Sequence, residues 1–226
     1  MKAMILAAGR GERLRPLTDT VPKPLVAAGG RPLVAWHLER LAAAGVREVV
    51  MNVSHLGAAI EARLGDGRPW GVAIAYSREP VPLETAGGIA TARALLGEAP
   101  FLLVNADVWC DVDFGALARR TLGDALAHLV LVPNPPFRPQ GDFSLRDGRV
   151  GDADAPRYTY AGIAVASPRL VDGIAPGTRA PLAPLLRAAA AAGRVSGEIH
   201  GGAWSDVGTA ERLAELDQRL TRRTTP

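Results

Sequence analysis

A glycine-rich, cationic loop follows the first apolar stretch of the chain. The segment MILAAGRGERLRPLTDTVPKPLV, residues 4–26, places Gly9 and Gly11 directly after that stretch. Glycines at such a position let backbone amides approach an anion closely, and the next helix adds its positive end. Arg13 and Lys23 supply side-chain cations that neutralise phosphate charge. The loop therefore predicts a binding site for a phosphate-bearing ligand.

Three kinds of phosphate-binding loop are compared with this segment. A Walker loop requires the string GxxxxGK[ST], which the sequence does not contain. A dinucleotide-binding loop requires GxGxxG, and Leu14 stands where the third glycine would be. The third kind of loop binds a nucleoside triphosphate through side-chain cations as well as backbone amides. Lys23 favours it, because Pro22 and Pro24 restrict the backbone that presents this lysine.

Two aspartates are candidate metal ligands. Asp107 ends an apolar, strand-like run, and Asp206 lies much later in the chain, in a turn before the last predicted helix. Either aspartate alone is more typical of a turn or a helix cap. Beside a phosphate loop, however, the pair suits Mg²⁺, which binds through one or two carboxylates plus phosphate oxygens and water. The two carboxylates are therefore a candidate magnesium site.

Strand and helix patterns alternate over the first 130 residues. Apolar runs predict strands at 2–8, 48–54, 72–77, 101–107 and 126–133. Helical spacing predicts helices near 33–46, 56–65, 85–97 and 114–122. This alternation predicts a three-layer α/β fold around a mostly parallel sheet. Ligands of such sheets bind beyond the carboxyl ends of the strands, where both the cationic loop and Asp107 are expected.

The second half of the chain is less regular. Its predicted elements are a hairpin at 143–152, a strand at 158–167 and helices at 183–193 and 210–220. The proline-rich stretch NPPFRPQGDF, residues 134–143, is long for a compact domain unless it forms a lid or a binding loop. We therefore expect a single domain, 1–226, with a lid-like insertion around 134–160.

Composition narrows the classes of partner. The 26 Lys and Arg against 23 Asp and Glu leave a charge of +3, too small an excess to indicate a nucleic-acid partner. The single cysteine, Cys110, excludes an internal disulfide and a cysteine-based metal site. The N-terminus carries one lysine and then a strand pattern, and no apolar run reaches membrane-spanning length. We expect a cytoplasmic protein without a membrane partner, and both monomer and dimer remain open.

The motifs together resemble those of the sugar-1-phosphate nucleotidyltransferases, whose signature is LAAGxGxRLxPLTxxxPKPL. The resemblance continues through LETAGGI, VNAD, GDF, YAGIAV and WSDVGT, at 83–89, 104–107, 141–143, 160–165 and 204–209. It therefore covers nearly the whole chain. It implies a three-layer, Rossmann-like nucleotidyltransferase fold with a mostly parallel mixed sheet. Within the family the chain is most similar to the uridylyltransferases of cell-wall peptidoglycan recycling.

The resemblance implies a role for each motif. The implied nucleotide-binding residues are Gly9, Gly11, Glu12, Arg13, Lys23, Thr85, Gly87 and Gly88. The implied catalytic residues are Arg13 and Lys23, and the implied ligands of Mg²⁺ are Asp107 and Asp206. The implied sugar-phosphate contacts are Asn105, Gly141 and Asp154, with Asp152 as the alternative to Asp154, so that the insertion would bind the sugar. The chain departs from many family members at Ala86 and Ala106, where they have glycine.

The resulting hypothesis is Mg²⁺-dependent transfer of UMP from UTP to a sugar 1-phosphate, with N-acetylmuramate α-1-phosphate favoured. The products would be a UDP-sugar and pyrophosphate. The attacking phosphate is already ionised near pH 7, so the reaction needs no general base. Two alternatives stay open: a thymidylyl-, guanylyl- or cytidylyltransferase, and a non-catalytic module that binds nucleotide sugars. The joint presence of Arg13, Lys23, Asp107 and Asp206 disfavours the non-catalytic module.

Overall fold

A nine-stranded mixed sheet forms the centre of the computed structural model, which describes residues 1–152 and 156–224. The strands are β1 Ala3–Leu6, β2 Ala27–Ala28, β3 Arg31–Pro32, β4 Glu48–Val53, β5 Ala73–Arg78, β6 Phe101–Asn105, β7 Val108–Cys110, β8 Ala127–Val132, β9 Phe143–Arg146, β10 Arg149–Gly151, β11 Arg157–Ala166, β12 Val195–Ile199 and β13 Trp204–Asp206. The helices are α1 Leu33–Ala43, α2 Gly57–Leu64, α3 Glu84–Leu96, α4 Phe114–Ala118, α5 Leu182–Ala191 and α6 Ala210–Thr224.

The order of strands in the sheet is β5-β4-β1-β6-β11-β8-β12-β10-β9. Strands β5, β4, β1 and β6 run parallel, as do β8 and β12. Strand β11 is antiparallel to both of its neighbours, β6 and β8, and the β9–β10 hairpin is antiparallel as predicted. The α/β fold with a mixed sheet is thus confirmed. Its parallel part coincides with the first half of the chain, where strands and helices alternate.

Helices cover both faces of the sheet, which gives the three layers. Successive residues of β1 point to opposite faces: Ile5 packs in a core with Leu38 of α1, and Met4 packs in another core with Ile89 of α3. All four side chains are essentially fully buried. Strands covered on both faces must be apolar throughout, which explains the continuous apolar runs of the sequence. None of the helices within the described residues is long and apolar enough to cross a membrane.

A small second sheet of β7 and β13 links two distant parts of the chain. The strands are antiparallel, and Asp206 lies opposite Val108. The amide of Val207 donates a hydrogen bond of 2.9 Å to the carbonyl of Asp107. A third apolar core, which includes Trp109 of β7 and Leu216 of α6, packs this small sheet against the cationic loop through Leu14. The two aspartates are therefore held side by side at the carboxyl edge of the parallel strands.

His37 of α1 ties this small sheet to the helix layer. Its Nε2 lies 2.5 Å from the carbonyl oxygen of Val108, and the side chain is buried. Burial, only partly offset by that carbonyl, lowers the pKa of His37 to about 4. The folded state therefore excludes a proton that the unfolded chain accepts below its ordinary pKa of about 6.5.

We predict a pH dependence of stability from His37. Between pH 6.5 and pH 4 the unfolded state binds more protons, so the free energy of unfolding falls with falling pH, by about 3 kcal/mol for this group. Its contribution is constant above pH 6.5. Urea unfolding at several pH values measures the slope, and His37→Gln, which retains a donor but does not titrate, should flatten it. An unchanged slope in that variant would contradict the assignment.

Candidate active site

An open cavity of about 710 Å³ lies at the carboxyl edge of β1 and β6. One wall is the cationic loop, from Gly9 to Arg13, together with Lys23. Asp107, which follows β6, also lines the cavity. The remaining lining residues are Val81, Pro82, Arg179 and Gly208. The loop and Asp107, which were predicted to share one edge of the sheet, thus face one cavity.

The loop is built from short 3₁₀ turns, and its two glycines differ in what surrounds them. Gly11 has a φ of +65°, and a Cβ there would lie 2.9 Å from Thr18 Cγ2 and 3.2 Å from Lys23 Cβ. The hydroxyl of Thr18 donates to the Gly11 carbonyl at 2.8 Å. Gly11 is therefore needed for the fold of the loop itself. A Cβ at Gly9 would meet no atom within 4 Å, so its backbone lies open to the cavity.

Lys23 and Asp107 form a close ion pair in the wall of the cavity. Lys23 Nζ lies 2.5 Å from Asp107 Oδ2, and only 9% of Lys23 is exposed. Removing a lysine from water is costly unless the charge is paired, so the partner explains how the ammonium is tolerated there. The rigid presentation of Lys23 was predicted from its flanking prolines. Its carboxylate partner was not, because the two residues are 84 positions apart.

Asp206 makes a second ion pair, with an arginine that sequence reasoning missed. Arg212 Nη1, at the start of α6, lies 3.1 Å from Asp206 Oδ2. A Cβ at Gly208 would overlap the Arg212 guanidinium and would lie 3.0 Å from Arg13 Nη2. Arg13 and Arg212 therefore converge above Gly208, in the WSDVGT motif. The clue in the sequence was the position of Arg212, in the first turn of the helix that follows this motif.

The two aspartates offer a donor set suited to a hard divalent cation. Asp206 Oδ1 is buried and has no hydrogen-bond partner among the described residues. A buried carboxylate oxygen without a partner is costly, and a bound cation would satisfy it. The described residues contain no cluster of three or more His, Cys, Asp and Glu side chains. Two carboxylates completed by phosphate oxygens and water match the usual binding mode of Mg²⁺.

A neighbouring cavity of about 290 Å³ contains the predicted base-binding segment at the start of α3. Buried Asn52 and Glu79 form part of its wall, and Asn52 Nδ2 donates to Glu79 Oε1 at 2.7 Å. A Cβ at Gly88 would lie 2.8 Å from each of these two atoms. Thr85 lines the cavity directly. Gly88 therefore leaves room for the Asn52–Glu79 pair, which the sequence reasoning did not identify.

Gly87 has a structural explanation. A Cβ at this position would collide with the carbonyl oxygen of Thr178, and the amide of Gly87 donates to the carbonyl of Ala180 at 3.1 Å. Neither Gly87 nor Gly88 lines the first cavity, the second cavity or the cavity of about 400 Å³ beside it. The close approach that its lack of a side chain permits is to the backbone at 178–180. Ala86 and Ala106, the two departures from the family pattern, are buried in the apolar cores.

A third cavity, of about 400 Å³, continues from the second. Thr85 and Asn105 line both of them. The third cavity also has an apolar wall and several charged residues, namely Phe143, Tyr160, Leu182, Leu186, Glu84, Arg138, Asp142 and Arg187. The hydroxyl oxygen of Tyr160 is buried and has no hydrogen-bond partner among the described residues. Asn105, a predicted sugar contact, therefore borders both the second and the third cavity.

The other two predicted sugar contacts have different positions. Gly141 has a φ of +61°, and a Cβ there would lie 2.7 Å from Asn134 Oδ1, so this glycine makes a turn in the loop. Its neighbour Asp142 lines the third cavity instead and accepts a hydrogen bond from the amide of Tyr160. Asp154 lies outside the described residues. Asp152, the alternative, forms ion pairs with Arg157 and Arg187.

The 134–142 loop is attached to strand β11 at its base and reaches α6 at its tip. Asn134 Nδ2 donates to the carbonyl of Arg157 at 3.0 Å, and Arg157 Nη2 donates to the carbonyl of Asp142 at 2.7 Å. The ring of Phe137 lies 4.0 Å from the guanidinium carbon of Arg212. The loop therefore borders the third cavity and also contacts the arginine that pairs with Asp206.

Comparisons with known proteins agree with this geometry. Residues 2–141 match the family model described as nucleotidyl transferase. N-acetylmuramate alpha-1-phosphate uridylyltransferase of Neisseria meningitidis serogroup B is 54% identical over 95% of this chain and 96% of its own. The protein of that description from Caulobacter vibrioides is 37% identical over 96% of both chains.

A solved structure confirms the fold. A protein described as a glucose-1-phosphate thymidylyltransferase, from Bacillus anthracis, superposes with a TM-score of 0.86 over 98% of this chain and 95% of its own. Its sequence is 18% identical, so the likeness concerns the fold alone. The sequence match to the family model covers more than half of the chain, and the relatives match over almost its whole length. The chain belongs to the nucleotidyl transferase family.

Proposed function

We propose that this protein transfers UMP from UTP to N-acetylmuramate α-1-phosphate, giving the UDP-sugar and pyrophosphate, in cell-wall recycling. The observation that carries the proposal is the convergence of Arg13, Lys23 and Asp107 on one cavity, with Asp206 on the strand that pairs with the residues directly after Asp107. Asp206 itself lines a different cavity, together with Arg212. The identity of 54% to the Neisseria uridylyltransferase over nearly the whole chain supports the choice of substrates.

The chemistry requires two anions to meet. An oxygen of the sugar phosphate attacks the α-phosphorus of UTP in line, a new P–O bond forms, and the bond to the departing pyrophosphate breaks. Because the attacking oxygen is already deprotonated near pH 7, the protein has to cancel charge and align the reactants rather than remove a proton. Lys23 and Arg13 bind the phosphates and offset the charge that develops as pyrophosphate leaves.

The aspartates complete the phosphate site. Asp107 and Asp206 would hold Mg²⁺, which neutralises and aligns phosphate oxygens when bound. Asp107 also fixes Lys23 through their ion pair. Arg212 holds the carboxylate of Asp206 in position.

The three cavities suit the three parts of the reactants. The triphosphate would lie in the cavity of about 710 Å³, against the open backbone of Gly9 and the residues Gly11 and Glu12. The uracil nucleoside would occupy the cavity beside Thr85 and the Asn52–Glu79 pair, for which Gly88 leaves room. The acceptor sugar would occupy the cavity beside Asn105, with the loop of residues 134–142 as its lid and with Asp142 in the role expected of Asp154.

The test of the proposal is pyrophosphate release with Mg²⁺ in a matrix of substrates. UTP, dTTP, CTP and GTP are each combined with N-acetylmuramate, N-acetylglucosamine and glucose 1-phosphates. We expect the highest kcat/KM for UTP with N-acetylmuramate α-1-phosphate. A maximum at another pair would retain nucleotidyl transfer and discard the proposed substrates. Absence of release in every combination, with folded protein, would favour a non-catalytic nucleotide-sugar-binding module.

Replacing Lys23 tests its part in cancelling charge. We expect Lys23→Met to lower kcat by about 10²-fold or more, because one preorganised cation at a developing charge contributes that much. Pyrophosphate release at saturating UTP and sugar phosphate measures the effect. Lys2→Met is the matched control, since Lys2 lies far from the cavity and its Nζ bonds the Leu95 carbonyl at 2.8 Å. Activity of Lys23→Met within a few-fold of the native protein would show that Lys23 has another role.

Replacing Asp206 tests the metal site without relying on turnover. We expect Asp206→Asn to weaken Mn²⁺ binding roughly 10- to 100-fold, as changes around metal ligands commonly do. Electron paramagnetic resonance of Mn²⁺ titrated into protein and UTP, with no acceptor sugar, measures this. Asp172→Asn is the control, because Asp172 also pairs with one arginine, Arg93, but lies on the surface away from the cavities. Equal Mn²⁺ affinity in Asp206→Asn and the native protein would remove Asp206 from the metal site.

A further inference from the structure

The acceptor cavity has an arginine at its wall whose hydrogen-bonding capacity is only partly used. Arg187 of α5 lines this cavity, and its Nη1 lies 2.9 and 2.7 Å from the two carboxylate oxygens of Asp152. Both hydrogen bonds use the same nitrogen. Among the described residues, Nε and Nη2 of Arg187 have no hydrogen-bond partner. This edge of the guanidinium matches the two oxygens of a carboxylate.

Asp152 cannot balance all the positive charge next to it. The same carboxylate accepts from Arg157 Nη1 at 2.9 Å, so two guanidinium groups share one negative charge among the described residues. The two arginines hold the pKa of Asp152 below its usual value, so this single charge is fully present at neutral pH. The other arginine of the cavity, Arg138, is paired with Asp142 alone. The positive charge of Arg187 is therefore less fully balanced than that of Arg138, so Arg187 is better placed to bind an additional anion.

The half-exposed side chain of Arg187 lies beside an aromatic ring and an apolar wall. Its guanidinium carbon lies 5.3 Å from the centre of the buried Phe143 ring. Leu182 and Leu186, from the same helix, continue the wall beside it. A guanidinium held against a ring next to aliphatic side chains matches a substituent that combines a carboxylate with a methyl group. A lactyl ether is such a substituent.

Arg187 lies apart from the residues that bind phosphates in the proposed mechanism. It lines only the third cavity, whereas Lys23, Arg13 and Asp107 line the first. The second cavity connects the two, and its walls include Asn105 and Thr85, which also belong to the third. The anion for which Arg187 is placed is therefore a substituent of the acceptor sugar, not the phosphate that reacts.

We propose that Arg187 is the specificity-determining residue for the acceptor, binding the lactyl carboxylate of N-acetylmuramate α-1-phosphate through Nε and Nη2. This inference rests on the proposed function. Tyr160, whose buried hydroxyl lacks a partner among the described residues, lines the same cavity. A neutral amino sugar would leave the free edge of Arg187 unused.

The test compares Arg187→Met with the native protein on two acceptors. Methionine retains an unbranched side chain against Phe143 and removes the charge. We expect kcat/KM for N-acetylmuramate α-1-phosphate to fall about 10- to 100-fold, the usual effect of losing a charge-assisted pair, mainly through KM. We expect kcat/KM for N-acetylglucosamine α-1-phosphate to change less than about threefold, because the sugars differ only in the lactyl group.

Matched variants separate this role from a general loss of structure. Arg93→Met removes an arginine that pairs with Asp172 and Glu98 outside the cavities and should leave both acceptors unaffected. Arg187→Lys should recover part of the preference, since the charge remains. Equal losses on both acceptors in Arg187→Met would overturn the proposal and place Arg187 at the shared phosphate. The absence of any loss on either acceptor would also overturn it.

A binding measurement keeps the inference separate from the proposed function. Calorimetric titration compares UDP-N-acetylmuramate with UDP-N-acetylglucosamine. Native protein should bind the first more tightly, and Arg187→Met should lose that difference, whether or not turnover is observed. Lack of pyrophosphate release by native protein would contradict the proposed function, while the titration would still decide the role of Arg187. Equal binding of the two nucleotide sugars by native protein would overturn the inference.

Discussion

Charge compensation at one edge of the parallel sheet is the constraint on which the rest of the structure depends. Lys23 is largely removed from water, and it is tolerated because Asp107 lies against it. The pair requires the loop after β1 and the end of β6 to lie side by side, which the direct pairing of these two strands ensures. A candidate phosphate-binding cation and a candidate metal ligand are thus held in place by one interaction.

Asp206 and Arg212 repeat this arrangement from the other end of the chain. The β7–β13 pairing brings Asp206 beside the backbone of Asp107, and the third apolar core fixes that small sheet against the cationic loop. Gly208 leaves the space in which Arg212 and Arg13 meet. The two ion pairs therefore place positive and negative side chains next to one another without any substrate. Bound phosphates would then pair with the cations of these ion pairs, and a bound metal ion would pair with their carboxylates.

The sequence predicted the features that depend on local pattern, but not the contacts between residues that are far apart in the sequence. Apolar runs identified the doubly covered strands, and the prolines around Lys23 indicated a fixed side chain. The sequence did not predict the β7–β13 pairing, because strands of three residues are too short to show an alternating pattern. It also did not predict the ion-pair partner of Lys23 or the role of Arg212, because residues far apart in the sequence show no local pattern that relates them. Gly87, which the resemblance implied as a nucleotide contact, has a packing explanation that the sequence did not show, the close approach of the backbone near Thr178. Arg187 lies in an alanine-rich helix whose sequence gave no indication of a site.

The site separates chemistry from selectivity by building them from different elements. Residues after β1 and β6, with the segment after β13, form the proposed phosphate site, and their charges are tied to one another through ion pairs. The proposed acceptor cavity is formed instead by α5, β11 and the loop at 134–142, which contribute Arg187, Tyr160 and Asp142. Arg187 does not line the cavity that contains the Lys23–Asp107 pair. The loop at 134–142 nevertheless adjoins both parts, because Asp142 lines the third cavity and Phe137 rests against Arg212, the partner of Asp206. The element that borders the proposed acceptor cavity therefore also contacts one of the two ion pairs of the proposed phosphate site.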